Sequence, residues 1–227
     1  MPTTLTWLGH AAFEILCGGK TLLVDPYLDD NPAASRRADQ AQADFILVSH
    51  GHHDHLGDTV AIAQRTGALV ISNAEIVTWL KSQGLAAHAL HIGGGHRFPF
   101  GYLKLTQALH GSMLPDGSDG GHAAGFLLTS PEGKRIYLAA DTGLFGDMRL
   151  IGEEGIDLAA IPIGDNYTMG PDDALRAVKL ITPRMVIPIH YNTFDLIAQD
   201  APAWAARVER ETGVPVRVLR PGQSLEV

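Results

Sequence analysis

Between positions 49 and 58 the chain reads Ser-His-Gly-His-His-Asp-His-Leu-Gly-Asp, which sets His50, His52, Asp54 and His55 in the spacing His-x-His-x-Asp-His, with His53 among them. Imidazole nitrogen and carboxylate oxygen are ligands that Zn²⁺, Mn²⁺ and Fe²⁺ accept, and so dense a set in one turn suits a metal better than a solvated loop. Three more ligand-type side chains each follow an apolar, strand-like run: His110 after 103–109, Asp141 after 136–140 and His190 after 185–189. Loops at strand ends are where sites collect in open α/β sheets. Taken alone, a histidine after a strand is an ordinary structural residue. Taken with the cluster, they make a set of five histidines and two aspartates. One catalytic zinc uses three protein ligands and a water. Seven ligands suit two ions roughly 3.5–4 Å apart sharing one carboxylate.

The elements that must carry these residues can be read from periodicity. Positions 5–8, 13–16 and 21–24 alternate as strands, with a turn at Cys17-Gly18-Gly19-Lys20, and 27–40 reads as a loop. A buried strand over 44–48 feeds the histidine cluster, and a helix is expected over 56–66. A strand over 68–71 follows, then a helix capped by Asn73 and stopped by Gly84. Strands with Gly-rich turns fill 85–110. Residues 111–121 form a Gly-, Ser- and Asp-rich loop, free to move over a pocket. Strands are expected at 122–129, 134–140, 157–162 and 185–189, and helices at 144–154, 171–182 and 202–212, with edge strands at the C-terminus. This order is α/β: two packed mixed sheets with helices outside, in one domain over 1–227, pseudo-duplicated into halves of roughly 1–115 and 116–227.

The 227 residues, 45% hydrophobic, are enough for a sizeable core, and the net charge of −8 disfavours a broad nucleic-acid groove. Cys17 is the only cysteine, so neither an internal disulfide nor a Cys-type zinc site is available. No leader and no membrane span are expected, which places the chain in the cytoplasm. His88, His91, His96 and His122 have no ligand spacing and read as structural or surface residues. Gly93-Gly94-Gly95 is a turn, not a dinucleotide fingerprint.

The cluster, followed by a lone His, an Asp in Asp-Thr-Gly and a late His, resembles the metallo-β-lactamase superfamily over nearly the whole chain. Trp7-Leu8-Gly9-His10-Ala11, Val24-Asp25-Pro26, the 164–170 segment and Ile187-Pro188-Ile189-His190-Tyr191-Asn192-Thr193-Phe194 resemble its short "metal-dependent hydrolase" branch, similar to the ascorbate-6-phosphate lactonase. The resemblance implies a four-layer αββα sandwich. It implies that His50, His52 and His110 hold one metal, that Asp54, His55 and His190 hold a second, and that Asp141 bridges. The β-lactamases proper carry a Cys near the Asp141 position, so the antibiotic-hydrolysing branch is disfavoured. So is an RNA-processing phosphodiesterase, which carries a basic insertion.

The expected activity is that of a dinuclear metal-dependent hydrolase, with two divalent ions (Zn²⁺ first, then Mn²⁺, Ni²⁺ or Fe²⁺) supplying a hydroxide to an ester-, lactone- or phosphoester-type small substrate, anionic or not. Asp54 would orient the nucleophile. His10 either helps the leaving group or makes a structural hydrogen bond. Asp25 either orients a ligand histidine, as the resemblance implies, or starts an Asp-Pro turn. Asn166, Tyr167, Thr168 and Asn192 flank the inferred site loops and are candidates for substrate contact. His53 should point away from the metals. An iron-dependent oxidoreductase and a non-catalytic metal-binding protein use the same ligand set and remain the alternatives. A homo-oligomer is compatible with all of this.

Overall fold

Neighbouring residues along the central strands enter different cores, as period-two geometry requires. Phe45 and Leu47 join one apolar cluster while Ile46 and Val48 join the other, and Leu22 and Val24 are likewise separated from Leu23. These are features of a computed structural model that describes residues 2–227. The strands are β1 (Thr4–Gly9), β2 (Ala12–Cys17), β3 (Lys20–Val24), β4 (Phe45–Leu47), β5 (Leu69–Asn73), β6 (Ala87–Leu90), β7 (Gly95–Phe98), β8 (Gly101–Gln107), β9 (Ala124–Thr129), β10 (Arg135–Leu138), β11 (Leu158–Pro162), β12 (Val186–Ile189) and β13 (Ser224–Glu226). The helices are α1 (His53–Leu56), α2 (Thr59–Thr66), α3 (Ala74–Ser82), α4 (Met148–Gly152), α5 (Pro171–Ile181) and α6 (Ala201–Thr212).

One sheet runs β13-β1-β2-β3-β4-β5-β6, antiparallel as far as β3 and parallel from β3 to β6. The other runs β12-β11-β10-β9-β8-β7, parallel across β10, β11 and β12 and antiparallel elsewhere. Leu5, Trp7, Phe13 and Leu47 of the first sheet share a core with Leu103, Leu105, Phe126 and Leu138 of the second, and Leu175, Val178, Trp204 and Val208 of α5 and α6 close its far side. Ile62, Ala63, Ile76 and Leu80 of α2 and α3 cover the outer face of the first sheet. The result is helix, sheet, sheet, helix. No helix among the described residues is long and apolar enough to cross a membrane.

The chain changes sheet between Leu90 and Gly95, and β13 returns to the first sheet beside β1. The helix expected over 56–66 is two helices. α1 starts inside the histidine cluster and stops at Gly57, whose φ of 42° and close approach to the Pro26 and Tyr27 backbone leave no room for a side chain. Asp58 then accepts hydrogen bonds from the Leu28 and Asp29 backbone amides at 2.8 and 3.0 Å, tying this corner to the loop after β3. The helix expected over 144–154 shortens to Met148–Gly152.

The 111–121 loop is pinned and not free. Ser112 Oγ accepts from the Gly51 amide and donates to the Gly120 carbonyl. Asn73 both caps α3 through the Ile76 amide and donates to the carbonyls of Gly120 and His122. Trp79 Nε1 holds Asp116 at 2.9 Å.

Candidate metal centre

Every side chain of the centre sits at or just beyond the C-terminal end of a strand: His10 after β1, Asp25 after β3, the histidine cluster after β4, His110 after β8, Asp141 after β10 and His190 after β12. Both sheets contribute, so the site lies across their common edge. The backbone turns sharply there. His10, Asp25 and His190 adopt φ of 55°, 43° and 55°, and Ala140, just before Asp141, adopts 51°. Non-glycine residues rarely take this left-handed conformation, and such strain gathers at functional sites.

The candidate ligand atoms form three overlapping groups, each with all its atoms within 4.8 Å of one another: His50, His52 and His110; His10, Asp54, His55 and His190; and His50, His55 and Asp141. In the first, His52 Nδ1 lies 3.1 Å from His50 Nε2 and 3.2 Å from His110 Nε2. In the second, His190 Nε2 lies 3.8 Å from Asp54 Oδ2. Asp141 stands between, with Oδ1 3.1 Å from His55 Nε2, and Oδ2 3.0 Å from His190 Nε2 and 3.5 Å from His110 Nε2.

Several of these close approaches are not hydrogen bonds. His55 Nε2, Asp141 Oδ1 and both ring nitrogens of His190 are buried without a hydrogen-bond partner. Buried polar atoms are ordinarily paired. Lone pairs that converge on a point without bonding one another are the donor set of a cation, and imidazole with carboxylate suits a divalent metal.

The groups behind the ligands set their tautomers. Asp25 Oδ1 accepts the Ser49 amide at 2.7 Å, and Oδ2 accepts the Ser49 hydroxyl at 2.6 Å and His55 Nδ1–H at 2.8 Å. Ser49 Oγ, its proton committed to Asp25, accepts His50 Nδ1–H at 2.9 Å. Both histidines therefore direct Nε2 toward the site, the atom a metal-binding imidazole would use. His10 donates from Nε2 to Asp54 Oδ2 at 3.2 Å and accepts from Thr193 at Nδ1, 2.8 Å away.

Charge states agree with this. Burial holds His50 well below its ordinary range and, more mildly, lowers His110, so both stay neutral and able to ligate. Burial and the neighbouring His190 push His10 down to about 4. Burial opposes charge on Asp54, but the His10 hydrogen bond and nearby His55 outweigh it and keep the carboxylate ionised. Burial likewise opposes charge on Asp141, where His190 and His55 prevail and its pKa lies well below the usual range. Burial resists a charge on His55 too, yet Asp141 and Asp25 on its two sides raise it well above its usual value. The field at this point favours a cation.

All seven residues expected as ligands converge. His53 turns away, 69% exposed, to Asp30 at 3.0 Å. The His88 and His96 rings pack against each other, tilted, with centroids 4.8 Å apart, and belong to none of the candidate ligand groups. The candidate substrate contacts divide. Tyr167 lines the open cleft, about 330 Å³, together with His52, Asp54, His110, Asp141, Phe194 and Leu196. Asn166 and Thr168 do not line it, and Asn192 instead accepts the Gln199 amide at 2.7 Å, holding its own loop closed. His10 is fully buried behind Asp54 and does not reach the cleft, so the geometry does not favour help to a leaving group. Ser49 and Thr193 were not singled out in the sequence. The need of each buried imidazole for a partner on its second nitrogen is the signal that points to them.

A model described as "Beta-lactamase superfamily domain" matches residues 20–191. The chain belongs to that superfamily. Within the superfamily it is 51% identical over 226 residues to a UPF0173 metal-dependent hydrolase of Symbiobacterium thermophilum, covering 97% of this chain and 98% of that one. It is 47% identical over 228 residues to another from Pelotomaculum thermopropionicum, covering 98% and 99%. Among solved structures, Igni18, a metallo hydrolase from Ignicoccus hospitalis, superposes with a TM-score of 0.92 at 34% identity, covering 100% of this chain and 99% of that one. This superfamily member is accordingly a metal-dependent hydrolase.

Proposed function

We propose that the chain is a dinuclear hydrolase of ester-, lactone- or phosphoester-type small substrates. His50, His52 and His110 would hold one divalent ion, Asp54, His55 and His190 a second, and Asp141 would serve both. The observation that carries this reading is the convergence of two ligand groups on Asp141, with buried nitrogen and oxygen atoms that face one another unbonded. When bound, such a pair supplies Lewis acidity and brings a water's pKa near neutrality.

The protein's own groups do the rest. Asp54 is the carboxylate of the set that is open to the cleft, with its side chain 28% exposed against 3% for Asp141. Held ionised by His10, it is a weak base and a good acceptor, suited to orienting an attacking water through a hydrogen bond. His10, fixed between Thr193 and Asp54, keeps that carboxylate in one rotamer. Asp25 and Ser49 do the same for His55 and His50.

The test is metal content by mass spectrometry on protein made without a histidine tag, with a panel of lactones, thioesters and phosphodiesters. The native chain should carry two equivalents and turn over at least one class. His190→Ala should retain one equivalent, and Asp54→Asn should lose at least a hundredfold in kcat. Two equivalents tightly retained by His190→Ala, or iron accompanied by oxygen consumption, overturns the reading.

A further inference from the structure

Once the candidate ligands are set aside, the wall of the cleft is Tyr167, Phe194 and Leu196. All three are exposed, at 52%, 38% and 67%. They come from two loops that follow β11 and β12, and Phe194 is braced edge-on against the His10 ring at 5.7 Å. Among the described residues, three of the eight exposed large apolar side chains thus line this one mouth. Soluble proteins leave scattered apolar residues in water, but a group of them round one cleft marks a binding surface. No lysine or arginine lines the cleft among the described residues. The nearest side-chain charges are the carboxylates of Asp54 and Asp141. A bound metal pair answers charge at the reacting centre only. An anionic group one or two bonds further out would face carbon and the Asp54 and Asp141 carboxylates, with no lysine or arginine to pair with it.

We propose that the substrate's flanking group, beyond the bond that is cut, is uncharged and apolar (an alkyl or aryl chain on an ester or lactone) and that Tyr167 and Leu196 set this preference. This rests on the hydrolase reading and narrows it. Although the chain resembles a branch similar to the ascorbate-6-phosphate lactonase, a phosphorylated flank does not fit this mouth.

The experiment compares p-nitrophenyl acetate, butyrate, hexanoate and mono-p-nitrophenyl glutarate, which share a leaving group and differ in flank. kcat/KM should rise about threefold for each added methylene, through KM, as expected for partly buried carbon. The glutarate monoester should fall below the butyrate ester. In Tyr167→Ser/Leu196→Ser the ratio of hexanoate to acetate kcat/KM should drop about tenfold, with metal content unchanged. Leu196→Lys, which installs the missing cation, should raise glutarate over hexanoate about tenfold. A flat chain-length series, or glutarate preferred by the native chain, overturns the proposal.

Binding of 4-phenyl-2-butanone, followed by saturation-transfer NMR, separates the two readings. Binding that depends on Tyr167 and Leu196 in a metal-loaded protein that cleaves nothing supports the apolar mouth while the hydrolase reading fails. No binding and no chain-length effect, in a protein that still cleaves acetate, removes the apolar mouth alone. Sedimentation showing the native chain oligomeric and the double variant monomeric would make the apolar ring a subunit interface, and also overturns it.

Discussion

Asp25 serves two candidate ligand histidines at once, one directly and one through Ser49, from a single residue just past the end of β3. Its left-handed φ aims the carboxylate back over the sheet edge, and asparagine tolerates that backbone well. Asp25→Asn therefore tests the hydrogen bonding with little backbone cost. The amide keeps one acceptor oxygen but puts its NH₂ donors against either the Ser49 amide or both the Ser49 hydroxyl and His55 Nδ1–H, so part of this hydrogen-bond set is lost in either rotamer. Metal affinity should fall by about 10- to 100-fold, as for other orienting partners of metal-bound histidines. Competition with a chelating dye measures it, while far-ultraviolet circular dichroism should stay unchanged. An affinity equal to that of the native chain would mean Asp25 only shapes its turn. The seven candidate ligands were legible in the sequence because their types are rare in combination and four of them share one short segment. Thr193 and Leu196 were not, because a threonine or a leucine near a site looks like any other threonine or leucine until the fold shows what it faces.

At the scale of elements, the corner between α1 and α2 decides where Asp54 and His55 stand. Gly57 turns the chain with φ 42°, and a Cβ there would lie 2.8 Å from Tyr27 Cα and closer still to the Pro26 carbonyl. The contacts are backbone and cannot rotate away. Gly57→Ala should thus cost on the order of 2–4 kcal/mol, from strain and from overpacking together. Urea titration would read it, with metal-site affinity falling in parallel because α1 carries Asp54 and His55. A cost below half a kcal/mol would show that this corner yields. Here sequence reasoning read one helix over 56–66, since the apolar spacing runs on past the break. A lone glycine in such a pattern does not disclose the backbone packed behind it. The alternating strands were read well for a related reason: period two holds within each strand whatever lies around it. Which sheet a strand joins depends on partners far along the chain, so the passage of β7 and β8 into the second sheet is not visible in the sequence.

For the whole molecule, the centre is where two sheets meet. β1, β3 and β4 of one bring His10, Asp25 and the histidine cluster, and β8, β10 and β12 of the other bring His110, Asp141 and His190. Ions bound there would join the sheets at an edge where the backbone is strained and buried carboxylates and imidazoles face one another. Removing them leaves the apolar core between the sheets intact, so the chain should stay folded while losing the linkage free energy of the bound ions. At free metal a thousandfold above Kd, each site contributes about 4 kcal/mol. For a chain of this size 1 kcal/mol moves Tm by roughly 2–4 °C. Two sites together therefore predict a fall on the order of 20 °C on full chelation, recovered by adding the metal back, and about half that in His190→Ala. Scanning calorimetry with and without chelator reads both. Hydrogen exchange should locate the loosening in the loops after β1, β4, β8, β10 and β12 and leave the strand interiors protected. A drop of only 2 °C from a fully loaded protein would mean that the two sheets hold this edge closed without help, and that the cations are guests of a site already made.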